Sequence, residues 1–155
     1  MKSSPVTRRV IKLGSYWPYQ LTVLADRISR HTAAIVKQHG QLNLSQWRVM
    51  AAIAEQSGRT AAEVVTITPM DKGIVSRATK AMLAAGLVRR EASQGDGRVS
   101  HLFLTEQGET LYQALMPRVE AVAQEIHASL SADEQRRFGA FLGRLVSTMS
   151  ETPGS

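Results

Sequence analysis

The sequence predicts a mainly α-helical chain with one small β-hairpin past its midpoint. Three observations lead there. Apolar residues recur at helical spacing over most of the length. A hydroxyl residue followed three positions later by an acid, the signature of a helix start, recurs at Thr60, Thr68 and Ser131. Two strand-like runs, "LVRRE" (Leu87 to Glu91) and "RVSHLFLT" (Arg98 to Thr105), flank the turn-forming "ASQGDG" (Ala92 to Gly97). At 155 residues the chain suffices for one domain with a real core, and no repeat or linker divides it.

The first helix reads from "GSYWPYQLTVLADRISRHTAAIVKQHG". Pro18 fits only its first turn, where a missing N–H costs nothing. Leu21, Leu24, Ile28 and Ile35 lie near one stripe, and Gly40 marks the stop. The second helix, within "LNLSQWRVMAAIAEQSG", has Ser45 as its expected cap and Leu44 with Val49 as a hydrophobic staple. Trp47, Met50, Ile53 and Ala54 form its apolar face, and Gly58 ends it.

"TAAE" (Thr60 to Glu63) is a capping box that opens a third helix ending near Thr66. "TPMD" (Thr68 to Asp71) repeats the device, with Pro69 as the first residue of a fourth. Two helices this close form a helix-turn-helix. In the fourth, Ile74, Val75, Ala78, Ala81, Met82 and Ala85 make the apolar stripe, basic residues sit opposite, and Gly86 is the stop. After the hairpin, Thr105 caps a long helix to about Ser129, with a bend expected near Pro117. Ser131 opens the last helix, carrying Phe138, Phe141 or Leu142, Leu145 and Met149.

Lysine and arginine number 19 against 13 acids, a formal charge of +6. That balance favours a polyanionic partner, nucleic acid or an anionic surface. There is no cysteine, which excludes disulfides, thiolate metal sites and a thiol switch. The N-terminus lacks the apolar stretch of a secretory signal, and no apolar run approaches the roughly 18 residues of a membrane span. A cytoplasmic protein without a membrane partner is the expectation. His31, His39, His101 and His127 are scattered without ligand spacing, and Ser76, Ser100 and Ser129 lack a nucleophile elbow. Neither an enzyme, a metal nor a cofactor is expected. The basic arm, residues 1–15 with Lys2, Arg8, Arg9 and Lys12, suits DNA phosphates, acidic lipid or a solvated tail.

Lys72, Ser76, Arg77 and Lys80 project from one side of the fourth helix, with no acid among them. Gly73 permits close backbone approach there, and Thr68 joins the face from the turn before it. Such a face is either ordinary solvated surface or a reader of the DNA major groove, which is wide enough for a helix. The capped turn before it and the basic hairpin after it favour the reader: a winged helix-turn-helix. Arg89 and Arg90 suit phosphate contacts. Arg98 suits the minor groove. Asp96 either pins the Arg98 guanidinium or simply forms the turn.

"MDKGIVSRATKAMLAAGLVRRE" resembles the recognition helix and first wing strand of the MarR-type transcription regulators, and "GDGRVSHLFLTEQG" is similar to their wing, with Asp96, Arg98, Leu104, Thr105 and Gly108 at matching positions. "LSQWRVMAAI" is similar to the helix before that unit, and the likeness runs from Tyr16 to Met149. Extra glycines at positions 73 and 97 depart from the pattern. The resemblance implies a homodimer formed by helical regions at 16–40 and 109–150, with a DNA-binding region at 41–108. It implies a pseudo-palindromic operator on double-stranded DNA, with recognition helices about 34 Å apart. It also implies a repressor released by a small aromatic effector: a phenolic acid, an aldehyde or an aryl coenzyme A thioester. Tyr16, Trp17 and Tyr19, with Arg27, His39, Trp47 and Arg48, are the candidate effector wall; packing of a dimer interface is the other use for those rings. The alternative function is a winged-helix module that binds protein rather than DNA.

Overall fold

The computed structural model describes residues 9–150, leaving aside the Ser150 side chain. Most of the basic arm therefore lies outside the described residues. A short 3-10 turn, Leu13–Ser15, leads into α1 (Trp17–Gly40), followed by α2 (Leu44–Glu55), α3 (Ala61–Ile67) and α4 (Lys72–Ala84). The hairpin is β1 (Val88–Ala92) with β2 (Ser100–Leu104), and α5 (Glu106–His127) and α6 (Ala132–Ser150) complete the chain.

Helix α1 begins with Pro18 in its first turn. Its C-terminus is closed by Gln41 rather than Gly40: Gln41 takes the left-handed conformation (φ 53°), and the Gln41 and Leu42 N–H groups donate to Lys37 and Val36 carbonyls. Gly40 serves packing instead, since a Cβ there would lie 2.7 Å from Leu115 Cδ1 of α5. Thr32 and Val36 are its buried residues, whereas Leu24 faces outward. The stripe expected along α1 thus turns toward the core only in its C-terminal half.

Helix α2 starts before the expected Ser45. Asn43 and Gln46 form a reciprocal capping box, each side chain accepting the other's backbone N–H at 2.8 Å. The staple positions shift accordingly to Leu42 and Trp47, both buried. Met50 and Ile53 are fully buried at the centre, each worth about 2 kcal/mol of apolar transfer. The Trp47 ring stacks on Tyr112 of α5 at 5.5 Å.

The Thr60–Glu63 box opens α3 as expected. The next turn differs. Asp71 alone caps α4, its Oδ1 accepting the Ile74 N–H at 2.7 Å, and Pro69 stays in the turn. Proline keeps its predecessor extended, so Thr68 ends α3 and donates its hydroxyl to the Val64 carbonyl at 2.6 Å. The buried side of α4 is Val75, Ala78, Thr79 and Met82; Ala81 and Ala85, expected in that stripe, are exposed. Gly86, at φ 69°, terminates the helix in the left-handed region, and Leu87 N–H reaches back to Met82 O.

The strands pair antiparallel from Val88↔Leu104 to Ala92↔Ser100. Leu102 also exchanges backbone hydrogen bonds with the Gly58–Arg59 segment, which joins the wing to the end of α2. Thr105 ties three elements together. Its hydroxyl donates to Gly86 O at 2.6 Å and accepts from Gly108 N–H at 3.0 Å, while its N–H donates to Leu87 O. Helix α5 continues through Pro117 to His127. No described residue of α6 is buried, and Phe138, Phe141, Leu142, Leu145 and Met149 remain exposed on it.

The close seat of α5 on the wing root depends on Gly108, whose Cβ would fall 2.0 Å from Leu87 O. Gly108→Ala is expected to destabilise the fold by about 3 kcal/mol through backbone overlap that no rotamer relieves. Gly97→Ala, with nothing within 4 Å, is the control expected to leave the melting temperature unchanged.

Candidate nucleic-acid interface

Helix α4 carries Gly73, Arg77 and Lys80 on the side opposite its buried stripe, while Lys72 and Ser76 flank that stripe. Lys72, Gly73, Ser76, Arg77 and Lys80 are all exposed. None of Lys72, Arg77 and Lys80 is within ion-pair distance of an acid among the described residues. Cations held on a rigid helix without internal partners are available to a polyanion. Thr68 is half-buried beside them, with its hydroxyl proton already given to Val64.

The wing divides its arginines. Successive residues of a strand point to opposite faces, so Arg89 and Arg90 do not act together. Arg89 pairs with Glu91 and lies 4.5 Å over the Phe103 ring, on the same face as its cross-strand partner. Arg90 turns toward α4. At the tip, Asp96 accepts the Arg98 backbone N–H at 3.0 Å. Of the two roles weighed for Asp96, turn former is the one in place, and the Arg98 guanidinium is left exposed.

Between α3, α4 and β1 lies a cavity of about 400 Å³, lined by Ala61, Ala62, Val65, Lys72, Val75, Ser76, Thr79 and Arg90. Thr79 was absent from the sequence expectations. It is 4% exposed, and its hydroxyl has no hydrogen-bond partner among the described residues. A buried hydroxyl without a partner is costly, so this position invites a polar occupant. The available signal was a threonine one turn after Val75, inside an otherwise apolar stripe.

The residues proposed for an effector do not all meet. Tyr19 and Arg27 share a groove of about 250 Å³ with Leu13, Gln20, Val23 and Leu24. Tyr16 and Trp17 are exposed at the same end of α1. His39 lies at the other end, about 33 Å away by helical rise, and lines a separate cavity with Gln46, Met82 and Gln107. Trp47 is buried against Tyr112, and Arg48 Nη2 donates to Ser29 Oγ at 3.2 Å. No group of three or more potential metal ligands occurs among the described residues, and no described helix is long and apolar enough to cross a membrane.

A helix-turn-helix with a free basic second helix and an adjoining β-hairpin defines a winged helix-turn-helix protein. Residues 41–99 match the sequence profile of the MarR family. The transcriptional regulator HosA of Escherichia coli O157:H7 is 30% identical over 125 residues, covering 81% of this chain and 93% of that one. A MarR-family regulator from Silicibacter pomeroyi superposes with a TM-score of 0.80 at 25% identity, over 91% of this chain and 96% of its own. Bordetella bronchiseptica BpsR, whose DNA binding is regulated by 6-hydroxynicotinic acid, superposes with a TM-score of 0.67 at 23% identity, over 82% and 98% of the two chains. The chain belongs to the MarR family of DNA-binding transcriptional regulators.

The helix-turn-helix is also pH-sensitive at its first cap. Thr60 donates its backbone N–H and its hydroxyl to Glu63, which lowers the Glu63 pKa below the ordinary 4.5. A carboxyl whose pKa is depressed on folding contributes stability above its unfolded value, and that contribution is lost as pH falls through the folded value. Thermal stability should therefore decline as pH drops below about 4.5, and Glu63→Gln should flatten this acid limb in melts recorded across the carboxylate range.

Proposed function

We propose that this regulator is a homodimeric repressor whose α4 helices read a pseudo-palindromic operator and are released by a small aromatic effector. The observation that carries the DNA contact is the free basic side of α4 beside the wing. Lys72, Ser76, Arg77 and Lys80 enter the major groove. Gly73 lies closest to the duplex, and Thr68 contacts it from the turn. Arg98 follows the minor groove from the wing tip. Arg90 takes a phosphate from the inner face of β1, and Arg89 takes one only by leaving Glu91. Asp96 shapes the tip.

The dimer is proposed from α6, where Phe138, Phe141, Leu142, Leu145 and Met149 are exposed, together with residues 16–40 and the rest of 109–150. The region 41–108 is the DNA-binding part. The effector reading draws on BpsR and its 6-hydroxynicotinic acid. A carboxylated ring suits the α1 groove, with Tyr19 against its face and Arg27 on its charge. A second seat is favoured by the unpartnered Thr79 hydroxyl, beside Lys72 and Arg90. An anion there would compete with DNA for the same cations. The proposed working site is the cytoplasm, where the duplex is.

Reversing two charges, Arg77→Glu with Lys80→Glu, should weaken binding to a selected duplex by at least about a hundredfold without loss of helical content. Unchanged affinity would favour the protein-interaction module. Lys80→Ala alone, which removes one cation from each α4 of the dimer, should lower the slope of log affinity against log salt by about two.

Titration with hydroxylated aromatic acids, aldehydes and aryl coenzyme A thioesters should quench tryptophan fluorescence and release DNA together. Loss of the response in Arg27→Ala places the effector at α1, and loss in Thr79→Val places it under α4. DNA release by no compound of these classes would remove the aromatic effector from the reading.

A further inference from the structure

A cavity of about 410 Å³ opens where the C-terminus of α1, the cap of α2, the end of α4 and the first turn of α5 meet. That volume is in the range of small-molecule sites, roughly 300–1,000 Å³. Leu42, Met82 and Leu87, all buried, belong to its apolar lining. His39, Gln41, Gln46 and Gln107 are its polar side chains, and no lysine, arginine or acid is among the described residues that line it. It shares no lining residue with the α1 groove or with the cavity at Thr79.

Two of the glutamines are held in place. Gln41 is the one non-glycine with a positive φ among the described residues, at 53°. Glycine is the usual residue at such a helix end, and a side chain there carries a steric penalty. The chain thus keeps a carboxamide on this wall in a backbone conformation that disfavours it, and such outliers cluster at ligand sites. The Gln46 carboxamide is oriented by the cap of α2. Its Oε1 accepts the Asn43 N–H at 2.8 Å, which leaves Nε2 as a donor with no partner among the described residues. The His39, Gln41 and Gln107 side chains likewise form no hydrogen bond to another described residue. Carboxamides donate and accept at once, which matches the adjacent donor and acceptor on the edge of a heteroaromatic base, as glutamine matches adenine. A thioether packs favourably on an aromatic ring. A charged ligand would lose water here without gaining a counter-ion from lysine, arginine or an acid.

We propose that this cavity binds an uncharged purine base, its ring against Met82 and Leu87 and its edges on the carboxamides of Gln41, Gln46 and Gln107. The site is independent of the effector seats proposed above and of which helix reads DNA.

The test is equilibrium dialysis of the full chain, free of DNA, against labelled hypoxanthine and adenine. One base should bind per protomer, saturably. Gln41→Gly removes the carboxamide and supplies the residue that the left-handed position favours. It should melt no lower than the wild type yet bind about tenfold more weakly, the size of one lost hydrogen bond. Gln46→Glu keeps the oxygen that caps α2 but exchanges the donor for an acceptor, and should show a similar loss with unchanged helical content. Arg27→Ala and Thr79→Val should bind as the wild type does. No saturable uptake of either base at millimolar concentration, or full affinity in either glutamine variant, overturns the site. Loss of uptake in Arg27→Ala or Thr79→Val moves the base to one of the other seats and overturns it too.

Discussion

The architecture turns on the hydrogen bonds made by Thr105. One hydroxyl closes the C-terminal side of α4 at Gly86 and opens α5 at Gly108, while the same residue's N–H holds Leu87 at the root of the wing. Three elements that must move together are therefore fastened through groups of fixed direction. Gly108 lets the α5 backbone seat directly against Leu87, where any side chain would interpose. A shift of α5, whose Tyr112 stacks on Trp47 and whose Leu115 is buried in the core, would pass to α4 and the hairpin through these bonds. That junction is a physical route by which changes among the long helices reach the basic side of α4.

The wing shows how alternation sorts charge. Adjacent arginines of identical chemistry acquire opposite environments because the strand turns one residue over relative to the next. Arg89 is neutralised by Glu91 and spread over Phe103, and so braces the hairpin. Arg90 lines the cavity between α3, α4 and β1, whose lining also holds Lys72 and the Thr79 hydroxyl that lacks a partner. Two cations and no acid line that cavity, which suits an incoming anion.

Much of this was legible in the residues. Helix number and order, the hairpin and the Thr60 and Thr105 caps follow from local chemistry, because a capping box or a glycine stop involves residues only a few positions apart. The errors have the same origin. Asn43 with Gln46 competes with Ser45 for one helix start, and reciprocity of two bonds decides for Asn43. Asp71 displaces Thr68 because Pro69 holds the backbone extended. The candidate surface was legible as a side of α4, since periodicity alone separates Lys72 and Arg77 from Val75 and Met82. The groove residues were not. Whether Tyr19 and His39 share a space depends on helix length and tertiary packing, which chain proximity does not encode. Thr79 escaped notice because its isolation arises only when α3 and the wing close over it.

Helix α6 leaves Phe141 and Leu145 in water within a single chain. Burying such a surface against another molecule makes folding a mass-action process, so stability rises with protomer concentration and falls on dilution. In the homodimer proposed above, occupancy of an operator at low abundance would scale with the square of the protomer level. Small changes in synthesis or turnover would then be amplified at the bound site, so that copy number itself becomes a control variable.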